Sequence, residues 1–184
     1  MQLIAQLIAL AVLAIVAAVA LTLAWSTARW ALRTRRVVAF RTVVQDVAGR
    51  ADGIIAGISE RIDSVRRGSL AAAQILPDLA EAQAATAALA TEARALTGPL
   101  GSAAILAGIV QELERSGRAL EMVEHGCRVM SESRGRDQDP EAQTAVKRGY
   151  LSLVHAREYI AEHDGSAARL LADMPRLRGG RPAR

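Results

Sequence analysis

Residues 3–24 are almost wholly Ala, Leu, Ile and Val, whereas from residue 44 onward apolar positions return every three or four residues. At about 1.5 Å per residue, the first run is long enough as a helix to cross the roughly 30 Å hydrocarbon layer of a bilayer. The later stripes predict amphipathic helices that pack on one another.

Val44, Val47, Ala51, Ile54, Ile58, Ile62 and Val65 form the first stripe. Nothing between Trp25 and Arg36 breaks a helix, so the apolar run is expected to continue into this stripe. Gly68-Ser69 ends it, with Arg66 and Arg67 in the last turn, where cations suit the helix dipole. A second helix is predicted from Ser69 or Leu70 to Leu96, striped by Leu76, Leu79, Thr86, Leu89, Ala93 and Leu96. Pro77 should kink it or mark a restart, because it lacks an N–H and crowds the preceding turn.

Gly98-Pro99-Leu100-Gly101 reads as a turn, and Ser102 as the cap of a third helix. The core face of that helix is Leu106, Ile109, Leu113, Gly117, Leu120, Val123, Cys127 and Met130. After a polar loop over residues 131–139, Asp139 and Pro140 are a start signal for a fourth helix. Its stripe is Val146, Gly149, Leu153, Ala156, Ile160, His163, Ala167, Leu170 and Met174. Gly165 is expected to interrupt it, Ser166 to recap it and Pro175 to stop it. No strand of convincing length and no internal repeat is evident.

The predicted fold is all-α: one N-terminal transmembrane helix continuing into an antiparallel four-helix bundle. Residues 1–28 are the expected anchor, 29–175 the bundle, and 176–184 a basic tail with nothing to bury, expected to be disordered.

Charge gives the anchor a direction. Residues 1–28 carry no Asp, Glu, Lys or Arg, and the next thirteen positions hold Arg29, Arg33, Arg35, Arg36 and Arg41. Trp25 and Trp30, with Arg29, Arg33, Arg35 and Arg36, are the predicted membrane-interface residues. Short arginine-rich flanks resist translocation, which places the N-terminus outside and the bundle in the cytoplasm, at the inner (plasma) membrane. Ala18-Val19-Ala20 has the small-x-small form of a signal cleavage site. The stretch before it has no basic residue and the apolar run exceeds a signal core, so a retained anchor is expected.

Aromatic residues make up only 3 % of the chain, leaving few sheet formers and favouring small side chains packed between helices. Cys127 is the single cysteine, which excludes an intrachain disulfide and fits a reducing compartment.

Gly49, Gly53 and Gly57 fall at steps of four and strip one face of the first helix. Each costs a helix about 1 kcal/mol relative to Ala, so a close contact is expected there. The neighbour is either the Ala80, Ala84 and Ala87 face of the second helix or another copy of the chain, as small-xxx-small faces allow.

No catalytic, cofactor or metal residues are predicted. The metal candidates are Glu121, Glu124, His125, His155, Glu158, Glu162 and His163, but neither helix carries Glu-x-x-His. Cys127 lies on a core stripe, where a free thiol behaves as a small hydrophobe. No Gly-rich phosphate loop follows a strand. The four arginines of residues 176–184 suit a solubilising tail, or contact with anionic lipid. Nucleic acid is disfavoured, since no aromatics interleave and no binding fold is recognisable.

Ile75-Leu76-Pro77-Asp78-Leu79-Ala80-Glu81 resembles the Leu-Ile-Pro-Asn-Leu-x-Glu stretch of the LemA family of bacterial proteins. Ala156-Arg157-Glu158-Tyr159, followed by Leu170-Leu171 and Met174-Pro175, is similar in spacing to that family's Ala-Arg-x-Tyr…Phe-Pro segment. The family's Tyr-Asn pairs are replaced by Ile160-Ala161 and Ala167-Ala168. The resemblance implies an N-terminal membrane helix with a cytosolic helical bundle, and no settled activity.

These features describe a single-pass, membrane-anchored scaffold or interaction protein without catalysis. Its expected partners are the lipid bilayer and other membrane or cytoplasmic proteins, a homo-oligomer being one form. The alternative is a bundle that senses or carries an apolar ligand such as lipid or quinone.

Overall fold

Val37, Phe40, Val44, Val47, Ala51, Ile55, Ile58, Ile62 and Val65 repeat at helical spacing, and all are buried along one face of helix α1 (Gln2–Arg66). Three further helices cover that face: α2 (Ala72–Ala95), α3 (Ala103–Glu132) and α4 (Pro140–Asp173). The structure, a computed structural model, describes residues 2–99, 101–132 and 140–173. Within its helices the side chains of residues 2–16, 28, 30–34 and 170–173 are outside that description. The described residues contain helices and no strand.

Cross-helix pairs define the topology. Arg50 reaches Glu92 and Arg61 reaches Asp78, so residue numbers rise along α1 as they fall along α2. Gln83–Glu124 and Arg94–Glu114 give the same reversal for α2 and α3. Gly126 packs beside Ala142 and Gly149 beside Ala119, reversing α3 against α4. Asp52–Arg157 and the stacking of Arg66 on Tyr150 (4.7 Å) close the ring between α4 and α1. Each neighbouring pair is antiparallel, and the α1–α3 diagonal touches little.

The helix ends follow from local chemistry. Gly68 adopts φ 74°, and the N–H groups of Ser69 and Leu70 both donate to the Ser64 carbonyl, at 3.0 and 3.2 Å. Because those two residues finish α1, α2 begins at Ala72 rather than at Ser69 or Leu70. The Gln74 side chain accepts the Ala71 N–H at 3.3 Å, satisfying one donor of the new helix. α2 then runs through Pro77 without a restart. Ser102 precedes α3 as expected, but its hydroxyl donates to the Pro99 carbonyl at 2.8 Å, holding the turn. α4 starts at Pro140 and continues through Gly165, correcting the expected interruption. Asp139, Met174, Pro175 and the tail at 176–184 lie outside the described residues.

Two expectations need fuller correction. Among the described residues no helix is long and apolar enough to cross a membrane, so the structure supports the helical bundle but not the transmembrane helix expected at residues 1–28. The side chains of residues 2–16, most of that run, are outside the description. What is described is an unbroken α1 that overhangs the bundle, with Val19, Leu21, Leu23 and Trp25 exposed.

The glycine seam is overturned within the chain. A Cβ built on Gly49, Gly53 or Gly57 would meet nothing within 4 Å. Ala80, Ala84 and Ala87 are exposed as well. Gly53 stands two residues from both Ala51 and Ile55, about 200° around the helix from the buried stripe. Gly53→Ala is therefore expected to stabilise the protein by up to about 1 kcal/mol, through better helix propensity and a less flexible unfolded chain. Thermal melting checks this, and a fall in melting temperature would restore the seam.

Candidate interaction surface

The stalk of α1 leaves the bundle below Val37, the first buried residue among the side chains described. Of the predicted interface residues, Trp25 is exposed and the Arg29 guanidinium lies 4.0 Å from its ring centroid. Arg35 and Arg36 point to solvent, and the side chains of Trp30 and Arg33 are outside the described set. Arg29, Arg35, Arg36 and Arg41 have no acidic partner among the described residues.

Higher up, the helices are tied by ion pairs. Hydrogen bonds to Asp46 and Glu92 raise Arg50 above the usual arginine range, and a bond to Asp52 does the same for Arg157. Both guanidiniums face water, where such pairs specify which helix lies beside which more than they stabilise.

Between α2 and α3 the Arg94–Glu114 and Gln83–Glu124 links bound a surface slot of about 530 Å³. Small residues create it: Ala84, Ala87 and Ala90 on one wall, Gly117 on the other. Gly117, expected in the core, faces open space, and Ser116 takes the buried position instead. The Ser116 hydroxyl donates to the Glu112 carbonyl at 2.9 Å, which removes the cost of burying it.

Glu112 itself is only 6 % exposed. Its Oε2 lies 3.2 Å from Arg115 Nη1 but is not aligned for a hydrogen bond. The sequence stripe passed over this residue because it was read through apolar positions alone. Its spacing gives it away, three residues after Ile109 and four before Ser116. Holding a carboxylate there costs more than an apolar side chain would.

The histidines are dispersed. His125 and His155 are exposed, while the His163 ring sits over Gly108, in the space a side chain there would fill. The described residues hold no group of three or more His, Cys, Asp or Glu that could bind a metal.

Cys127 is fully buried, and desolvation pushes its thiol up to about 11 from 9.0. Two units leave about a hundredfold less thiolate near pH 8, and the thiolate is the nucleophile. Iodoacetamide is thus expected to alkylate Cys127 at least about a hundredfold more slowly in the folded protein than in denaturant, as mass spectrometry would read. Equal rates would mean that the thiol is accessible.

No protein-family model, curated protein or solved structure matches this chain.

Proposed function

We propose that the protein is a single-pass membrane-tethered scaffold. In this reading residues 1–28 of α1 span the inner membrane with the N-terminus outside, and the antiparallel four-helix bundle stands on the cytoplasmic face as a docking body for other proteins. One observation carries the reading. Val19, Leu21, Leu23 and Trp25 are 52–74 % exposed on a helix that has already left the bundle. Leaving such side chains in water forgoes about 1.5–3 kcal/mol each. A run of them on an overhanging helix marks a surface that something apolar covers.

The arginines after the run set the orientation, since short basic flanks stay on the cytoplasmic side. In this reading the slot between α2 and α3, walled by alanines and Gly117 and rimmed by charge, is where a partner's side chains would sit.

The full chain is expected to remain with membranes through an alkaline wash. Reporters fused after Gly68 and at Arg184 should both score cytoplasmic. Release by the wash overturns the tether, and an outside signal from either reporter overturns the orientation. Lipid or quinone recovered with the purified protein in stoichiometric amount would replace the scaffold with a ligand carrier.

A further inference from the structure

Helix α3 stands at the corner of the bundle diagonal from α1, so its outer face is turned away from the stalk helix. Along that face Gln111, Glu114, Arg118, Glu121, His125 and Arg128 follow one another at steps of three and four, and all six are exposed. Such alternating steps draw a straight seam on a helix, the kind that apolar residues fill in a coiled coil. Here the seam is polar throughout.

Within the chain it is only partly satisfied. Glu114 pairs with Arg94 on α2, and Arg128 with Glu124 one turn before it. Arg118, Glu121 and His125, at the middle of the seam, have no ion-pair or hydrogen-bond partner among the described residues.

Read backwards, the order of charges is its own complement. A two-fold axis between Arg118 and Glu121 sets Arg118 of each copy against Glu121 of the other. The same axis sets Glu114 against His125, Gln111 against Arg128 and Ala107 against Glu132, so no like charges meet. Sliding one copy by two turns brings Arg118 against Arg128 and Glu114 against Glu132. A parallel pair sets every charge against itself.

We propose that this face of α3 is where a second copy of the chain docks, antiparallel, about that two-fold axis. One self-complementary patch closes a dimer and leaves nothing to extend. The slot between α2 and α3 flanks the seam, since Glu114, Arg118 and Glu121 line it together with Gly117, Ala84 and Ala87. The two-fold sets the slots of both copies side by side, and their small walls leave room for the aliphatic stems of the pairing arginines. Exposed pairs contribute little each, so the dimer is weak and salt-sensitive.

Antiparallel pairing sends the two stalks in opposite directions. The axis is level with Gly53 of α1, by the Arg94–Glu114, Gln83–Glu124, Arg50–Glu92 and Arg61–Asp78 contacts. From residue 28 to Gly53 is about 38 Å of helix. With the tether proposed above, the two copies therefore stand in facing bilayers about 75 Å apart. That placement rests on the tether; the pairing does not.

The test uses the full chain in detergent micelles at low salt, with mass read by light scattering. A dimer is expected, dissociating in about 0.5 M salt, where the screening length shortens to roughly 4 Å. The two-fold counts each change twice, so Arg118→Glu or Glu121→Arg should weaken pairing at least about tenfold. Both changes in one chain should restore it. Helicity should be unchanged in all three, because both side chains are exposed. A bismaleimide should join Gln111→Cys chains to Arg128→Cys chains and neither to its own kind, while buried Cys127 stays unlabelled.

Monomer at low salt, or single variants that pair like the wild type, overturns the proposal. Crosslinks between two Gln111→Cys chains mean parallel association and overturn it too. Vesicles carrying the full chain should cluster, and those carrying Arg118→Glu should not. A dimer in detergent from chains that fail to float with vesicles overturns the tether and leaves the pairing standing. A dimer beside vesicles that bear the protein yet stay apart overturns the facing-bilayer placement.

Discussion

Gly149→Ala should lower the stability of the bundle by about 1–3 kcal/mol, the opposite sign to the same change at Gly53. A Cβ on Gly149 would stand 2.5 Å from Val123 Cγ2 and 2.7 Å from the Ala119 carbonyl oxygen. Val123 can turn its methyl aside; a carbonyl inside a helix cannot move without moving the helix. Gly126 repeats the arrangement from the other side, with the Ala142 carbonyl 2.7 Å and Val146 Cγ2 2.8 Å from where its Cβ would be.

The two glycines let the backbones of α3 and α4 approach directly, and a methyl at either must push them apart. Urea denaturation of Gly149→Ala and Gly126→Ala should show lower midpoints. At roughly 2–4 °C per kcal/mol for a domain of this size, melting should fall by several degrees. The double variant should lose less than the sum, because the first methyl already opens the space the second needs. Wild-type stability in either single variant would mean that α3 and α4 are not this close.

Leu153→Ala should be the costlier truncation, at about 2–5 kcal/mol, because it removes buried methyl groups and leaves a cavity. Against a total of about 5–15 kcal/mol it brings the bundle near unfolding. Leu151 is the internal control. It lies two residues away on the same helix but on the other side, 45 % exposed where Leu153 is 0 % exposed. Leu151→Ala is expected to change stability by no more than about 0.5 kcal/mol. Similar losses from both would mean that α4 is rotated from the orientation described, or that something covers Leu151.

Periodicity alone identified the helices, and the turn at Gly68 and the start at Pro140 were readable from backbone chemistry. Among the described residues most stripe positions are buried or lie one residue from a buried one: Ile54, Leu76 and Leu106 are half-buried beside buried Ile55, Ile75 and Ile105, while Leu96, Met130 and His163 are only half-buried. A bundle helix packs against two neighbours, so its buried arc is wider than a single line of threes and fours, and adjacent apolar residues compete for it.

The glycines failed for a different reason. Gly49, Gly53 and Gly57 stand in register, yet all three are exposed and face away from the buried stripe beside them. The glycines that let helices touch are isolated. Gly149 was legible because it lies three after Val146 and four before Leu153, but Gly126 was hidden beside Cys127. Which neighbour's carbonyl comes near is a property of the packed pair, and no single helix's sequence contains it. A pattern built from apolar residues alone passes over the buried charge of Glu112, although its spacing from Ile109 and Ser116 marks the position. The arginines after the apolar run were plain in the sequence; that the end of α4 lies level with them required the topology.

The unbroken course of α1 from Gln2 to Arg66 carries a further consequence. A continuous helix fixes angle as well as distance, turning about 100° and rising about 1.5 Å with every residue. One residue inserted between Ser26 and Val37 would swing every face of the bundle through that angle about the stalk, like a key turned in a lock. Seven residues would return it to within about 20° of its starting bearing. If partners in the bilayer and partners on the bundle must be met at once, single insertions should abolish function while a seven-residue insertion keeps it.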